Sequence, residues 1–83
     1  MIIIYSRQAI KALERMDAAT RDRIKRGISD IPNGDIKPMQ GYSDSRQRLK
    51  IGKYRVIFRY ITSEDNSKEL LIIDVGSRGD IYK

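Results

Sequence analysis

Arg48-Leu49-Lys50-Ile51-Gly52-Lys53-Tyr54-Arg55-Val56-Ile57-Phe58 reads as two strands joined by a tight turn, and the rest of the chain is read outward from it. Polar and apolar residues alternate on both sides of Gly52-Lys53, and a two-residue connection with glycine first favours a type II′ hairpin. Such a turn sets the register. Ile51 faces Tyr54, Lys50 faces Arg55, Leu49 faces Val56 and Arg48 faces Ile57; further out, Gln47 faces Phe58 and Arg46 faces Arg59. Directly opposed residues share a sheet face. One face therefore collects Leu49, Ile51, Tyr54, Val56, Phe58 and Tyr60, with Gln47 toward its edge. The other collects Arg46, Arg48, Lys50, Arg55 and Arg59, with Ile57 among them.

The apolar face needs a cover, and the N-terminal half supplies two helices. Ile2-Ile3-Ile4-Tyr5 is a β-branched and aromatic run that predicts a buried strand. Ser6 is a natural N-cap, after which Ala9, Ile10, Leu13 and Met16 recur at helical spacing over about three turns. Asp17 caps a second helix with Ile24, Ile28 and Ile31 on one side and Arg21, Arg23, Lys25 and Arg26 outside. Gly27 costs roughly 1 kcal/mol against alanine in a helix, which marks close helix packing. Pro32-Asn33-Gly34 stops the helix. Residues 33–45 lack periodicity and predict a connecting loop.

Beyond the hairpin, Thr62–Lys68 is a polar loop. Leu70–Val75 is apolar on both alternating faces apart from Asp74, which predicts an interior strand covered on both sides. Strand, helix, helix, strand, strand, strand is the order of an α+β domain: an N-terminal strand and a helical hairpin packed on a mainly antiparallel sheet of about four strands. The 83 residues have room for one such domain, spanning 1–83.

Composition narrows the chemistry. The chain has no cysteine and no histidine, which removes disulfides, Cys/His zinc sites, thiol nucleophiles and Ser–His triads; no metal or cofactor is expected. No run approaches the roughly 18 apolar residues of a membrane span, and Met1–Tyr5 is too short for a signal-peptide core, so a cytoplasmic location is expected. The formal net charge is +6, from 17 Lys and Arg against 11 Asp and Glu, and its distribution is uneven. Residues 46–59 hold six cations (Arg46, Arg48, Lys50, Lys53, Arg55 and Arg59) and no acid. Like charges set opposite each other destabilise a sheet, and Lys50 opposite Arg55 is the closest such pair. This crowding points to a polyanionic ligand, with nucleic acid foremost, rather than to a merely solvated outer face.

Metal-free RNA cleavage uses the 2′-hydroxyl as the nucleophile on the adjacent phosphate. It needs a base for that hydroxyl, charge stabilisation at phosphorus, and a proton for the departing 5′-oxygen. Without histidine, Lys50 and Tyr82 are the candidate proton carriers, because nearby cations disfavour a protonated lysine and favour a tyrosinate. Arg46, Arg48, Arg55 and Arg78 suit phosphate holding, since a guanidinium stays charged and binds phosphate as a fork.

The hairpin, followed by Val75-Gly76-Ser77-Arg78-Gly79-Asp80-Ile81-Tyr82, resembles the RelE/ParE toxin superfamily, and its RelE branch most. Ile3-Ile4-Tyr5-Ser6 leading into a helical hairpin, then Pro32-Asn33-Gly34-Asp35, fits the same pattern. The resemblance implies ribosome-dependent cleavage of mRNA in the A site and neutralisation by a cognate antitoxin, in a hetero-oligomer that commonly binds operator DNA. It implies catalytic roles for Arg55 at the scissile phosphate, for Arg78 near the leaving group or on phosphate, and for Tyr82 as the terminal aromatic that stacks on mRNA and takes part in proton transfer. Arg46 and Arg48 stand where some members carry lysines, and Ser77 where many carry histidine; arginine is a poor general base, which moves weight to Lys50. Arg46, Arg48, Lys53 and Arg59 are expected to bind RNA. Two rival expectations share this fold: a ParE-like inhibitor of DNA gyrase, and a catalytically silent RNA-binding module.

Overall fold

Serine 6 shows how the ends of the chain meet. In the computed structural model, which describes residues 2–77, its Oγ accepts from the Ala9 N–H at 3.0 Å and donates to the Ile73 carbonyl at 2.6 Å. The N-cap of the first helix is thereby fastened to the last strand. Strand β1 (Ile2–Tyr5) precedes this cap, and helix α1 (Arg7–Glu14) follows it. With 8 residues α1 makes about two turns rather than three. Ala9 and Leu13 are buried, and Ala12 and Met16 pack beside them. Ile10 is exposed instead of joining them. At 100° per residue it lies more than a quarter-turn from the centre of the stripe set by Ala9, Ala12, Leu13 and Met16.

Helix α2 (Ala18–Ser29) begins at Asp17, whose carboxylate accepts from the Thr20 N–H and hydroxyl. Arg21 reaches back to the open end of α1, donating to the carbonyls of Leu13 at 3.1 Å and Met16 at 2.9 Å. The Leu13 carbonyl also accepts from the Met16 N–H at 3.1 Å, so Arg21 adds a second donor at the end of α1 and ties the two helices together. Gly27 does mark a close approach, but to the sheet and not to the other helix: a Cβ there would stand 2.5 Å from Ile51 Cδ1.

The sheet has five strands in the order β1-β5-β4-β3-β2, and it is mixed. Strand β3 (Gln47–Ile51) and strand β4 (Tyr54–Thr62) pair in the expected register from Ile51–Tyr54 to Gln47–Phe58. Arg46 falls one residue short of β3. Gly52 takes φ +59° and Lys53 does not follow it to positive φ, as a type II′ turn requires. Strand β5 (Lys68–Ser77) lies between β4 and β1, antiparallel to the first and parallel to the second.

Three expectations change here. Residues 35–38 are not loop: strand β2 (Asp35–Pro38) pairs with β3 and makes the far edge. Strand β1 is an edge strand rather than a buried one, with Ile2 and Ile4 exposed while Ile3 and Tyr5 pack inward. Strand β5 is interior to the sheet but is covered by helices on one side only. Its apolar run comes from a bulge: Ile57 pairs with Asp74 and Phe58 with Ile72, leaving Ile73 as the extra residue. The slip lets Ile72 and Val75, three apart, both face the core.

The core gathers Ala9, Leu13, Ile24, Ile28, Leu49, Val56, Phe58, Leu70, Ile72 and Val75 between the two helices and one sheet face. No helix among the described residues is long and apolar enough to cross a membrane.

Candidate nucleic-acid interface

With both helices on one side, no element among the described residues covers the opposite side of the sheet, and the registers lay out its side chains in rows. Asp35, Lys50, Arg55 and Gly76 make one row across β2, β3, β4 and β5. Lys37, Arg48 and Ile57 make the next, and Arg59 lies one further step along β4, opposite Leu71. The structure thus places Arg48, Lys50, Arg55 and Arg59 on a single helix-free face, with Lys50 directly opposite Arg55.

That face is not free of acid, as the hairpin alone suggested. Strand β2 brings Asp35 beside Lys50, and its Oδ1 lies 3.9 Å from Arg48 Nη2. Only 12% of the Arg48 side chain is exposed, against 54% for Asp35. A contact this long to an exposed carboxylate contributes little to stability, well under about 1 kcal/mol. It offsets part of the repulsion among the cations without neutralising them.

Arg46 has a closer partner. Its Nε and Nη2 hold the Asp44 carboxylate at 3.0 and 2.6 Å, and its guanidinium carbon stands 4.2 Å from the centre of the Tyr42 ring. The hydrogen bond from Arg46 is the chief reason the Asp44 carboxyl falls to about 2, and nearby Arg59 lowers it further. Lys53 stands apart from the cations of the sheet face. Its ammonium lies 5.5 Å from the Tyr54 ring centre, and it lines a cleft of about 650 Å³ with Lys11, Arg15, Asp74 and Ser77, between α1 and the ends of β4 and β5. Asp74 is turned toward α1, accepting from Gln8 Nε2 at 3.0 Å and from the Val75 N–H at 2.8 Å; burial raises its carboxyl above the ordinary range. Arg78 and Tyr82 lie outside the described residues, as do Gly79, Asp80 and Ile81.

The residues that the sequence reading passed over are Asp35, Tyr42 and Asp44. Asp35 was hidden with β2, although Asp35-Ile36-Lys37 carries a short polar–apolar–polar alternation. Asp44, two residues before Arg46, is a spacing at which a carboxylate reaches the backbone ahead of it, and here it accepts from the Arg46 N–H.

Comparison with known proteins accounts for this arrangement. A family model described as the ParE toxin of type II toxin–antitoxin systems matches residues 3–82. The chain belongs to that family. Toxins of this RelE/ParE superfamily share the two-helix, five-strand architecture seen here, and three solved antitoxin–toxin complexes contain similar chains. One is the RelB–RelE complex of Methanococcus jannaschii, with TM-score 0.70, 23% identity, and 95% of this chain and 94% of that chain covered. The RelBE2 complex of Mycobacterium tuberculosis gives 0.70 at 16% identity, covering 93% and 96%. The intact RelBE complex of E. coli gives 0.68 at 17% identity, covering 92% and 94%. A search of curated protein sequences returns no match. The sequence-level match is thus to the ParE model and the structural likeness to RelE toxins; at these identities the likeness concerns the fold.

Proposed function

We propose that this toxin is a ribosome-dependent endonuclease that cuts mRNA in the A site and works in the cytoplasm. The observation that carries the reading is the gathering of Arg48, Lys50, Arg55 and Arg59 on one open sheet face. Four cations in two adjacent strands, with the exposed Asp35 beside them among the described residues, form a surface suited to a sugar–phosphate chain.

In this reading Arg55 binds the scissile phosphate and stabilises the charge that develops there. The 2′-oxygen attacks phosphorus, the bond to the 5′-oxygen breaks, and the products are a 2′,3′-cyclic phosphate and a 5′-hydroxyl. Lys50, opposite Arg55, takes the proton from the 2′-hydroxyl, and Tyr82 gives a proton to the departing 5′-oxygen. Arg78 and Tyr82 complete the site at the leaving group and on the neighbouring base, with Arg48 and Arg59 holding flanking phosphates. Lys53 contacts RNA outside this centre at the turn, and Arg46, its fork taken by Asp44, contributes through the Tyr42 loop. A cognate antitoxin neutralises the toxin, a reading supported by family membership and by the antitoxin-bound state of the three similar chains. The pair then forms a hetero-oligomer that binds operator DNA.

A second reading, inhibition of DNA gyrase, is favoured by the match to the ParE model. Inducible expression of wild type, Arg55→Ala and Arg78→Ala separates the two. Codon-phased mRNA cuts with cyclic phosphate ends are expected, and loss of one charge-stabilising group lowers cleavage by about 10²–10³. Intact messages with double-strand DNA breaks would replace this reading with gyrase poisoning. Retained RNA binding with neither effect would leave a silent RNA-binding module.

A further inference from the structure

Between β2 and β3 the chain makes a loop whose ends are tied by the Met39 N–H donating to the Arg46 carbonyl at 3.1 Å. Gly41 at φ +86° and Ser45 at φ +60° turn it back on itself. Inside it Tyr42, Asp44 and Arg46 form one unit. Asp44 engages the guanidinium edge and the Arg46 N–H, while the guanidinium carbon lies close over the Tyr42 ring. Asp44 cancels the charge of Arg46, and the Arg46 fork is already occupied, so this group offers no grip on phosphate. What it holds outward is a ring: Tyr42 remains 48% exposed.

We propose that Tyr42, backed by the Arg46 guanidinium, is a stacking platform for an unpaired nucleobase of single-stranded RNA lying along the basic sheet face. The inference rests on the nucleic-acid reading above and adds to it a base contact outside the cleavage centre. An aromatic ring with one side supported and one side open is the arrangement on which splayed bases stack, and a guanidinium on the far side strengthens and orients it. Holding the ring in place beforehand lowers the ordering cost of binding. Position argues the same way. Arg59 is near enough to Asp44 to lower its carboxyl, and Arg59 belongs to the same face as Arg48 and Arg55. A chain held by its phosphates along those arginines reaches the loop with its bases free to turn outward. Stacking of this kind tolerates any base, so the platform sets strand register rather than sequence preference.

The chain contains no tryptophan, so Tyr42→Trp introduces a single reporter at the platform. Its fluorescence should be quenched by a short oligoadenylate and not by an abasic chain of the same length and charge. In anisotropy titrations Tyr42→Ala should weaken oligoadenylate binding about tenfold and leave the abasic chain unaffected, with Tyr42→Phe close to wild type. Arg55→Ala should weaken both polymers. Equal binding of the two polymers by wild type, with Tyr42→Ala changing neither, would overturn the platform and leave the phosphate grip standing. Failure of wild type to bind either polymer would remove the nucleic-acid reading and the platform with it. A Tyr42→Ala protein that loses antitoxin affinity while binding oligoadenylate normally would make the loop a protein contact and overturn the inference.

Discussion

On the helix-covered side of β4, Val56 and Phe58 have no exposure, because two helices and the facing strands close over them. On the other side of the same strand Ile57 is 4% exposed, although no helix among the described residues lies above it. Its neighbours there are Arg48 across the strand pair and Arg55 and Arg59 along β4. Long basic side chains lay their methylene stems over apolar surface and keep their charged ends in water. The two sides exclude water differently: one by a fixed layer of secondary structure, the other by side chains that are also the proposed ligand-binding groups. The open face therefore has an apolar floor under a cationic rim.

The sharpest way to break this comparison is to truncate both sides. Phe58→Ala should cost about 3–5 kcal/mol in urea unfolding, as for a fully enclosed aromatic residue. Ile57→Ala should cost about 2 kcal/mol, the low end for such a change, because flexible arginine stems can settle into the space. Equal losses at the two positions would show that the open face is packed as rigidly as the core. A smaller effect concerns charge. Asp35→Asn removes the carboxylate beside Lys50 and Arg48 and should tighten RNA binding about fivefold at low salt, corresponding to roughly 1 kcal/mol of unscreened attraction. An unchanged affinity would mean that RNA does not cross that part of the face.

The smallest effect lies in the loop at its end. The Asp44 carboxyl is held near 2 in the folded protein, below its ordinary value of 3.8, chiefly by Arg46. A depressed carboxyl stabilises the fold fully above its unfolded value and loses that contribution as pH falls through the folded one. Wild type should therefore exceed Asp44→Asn in thermal stability by a constant margin above about pH 5, and the two should converge near pH 2. Parallel curves over that interval would show that the Arg46 contact does not couple to folding.

The hairpin was legible in the sequence because one turn dictates every pairing behind it. A one-residue slip between Gln47–Ile51 and Tyr54–Phe58 would part Leu49 from Val56 and Phe58, and the two-residue turn excludes the longer shifts. The caps at Ser6 and Asp17 were legible for a similar reason, since each answers a local need for a hydrogen-bond acceptor. Strand β2 was not, because four residues with one inward apolar side chain and a terminal proline look like loop until a neighbour pairs with them. Nor was the β5 bulge, which turns an apparently two-sided apolar run into a one-sided strand with an extra residue. Both misses bear on the site. The first hid Asp35, and the second hid that Asp74 bends toward α1 instead of joining the cationic rows.

The partnership of β1 with β5 carries one more consequence. Tyr5 pairs with Ile72, and Ser6 bonds to Ile73 across 67 positions of sequence. Strand β1 is synthesised before both helices and the hairpin, and its sheet neighbour after all of them. Helices and hairpin can form while synthesis continues, yet the sheet closes only once residues 68–77 are available. The β1 edge of the sheet thus forms only after β5 is made, and β1 stays unpaired while the helices and hairpin between them are synthesised.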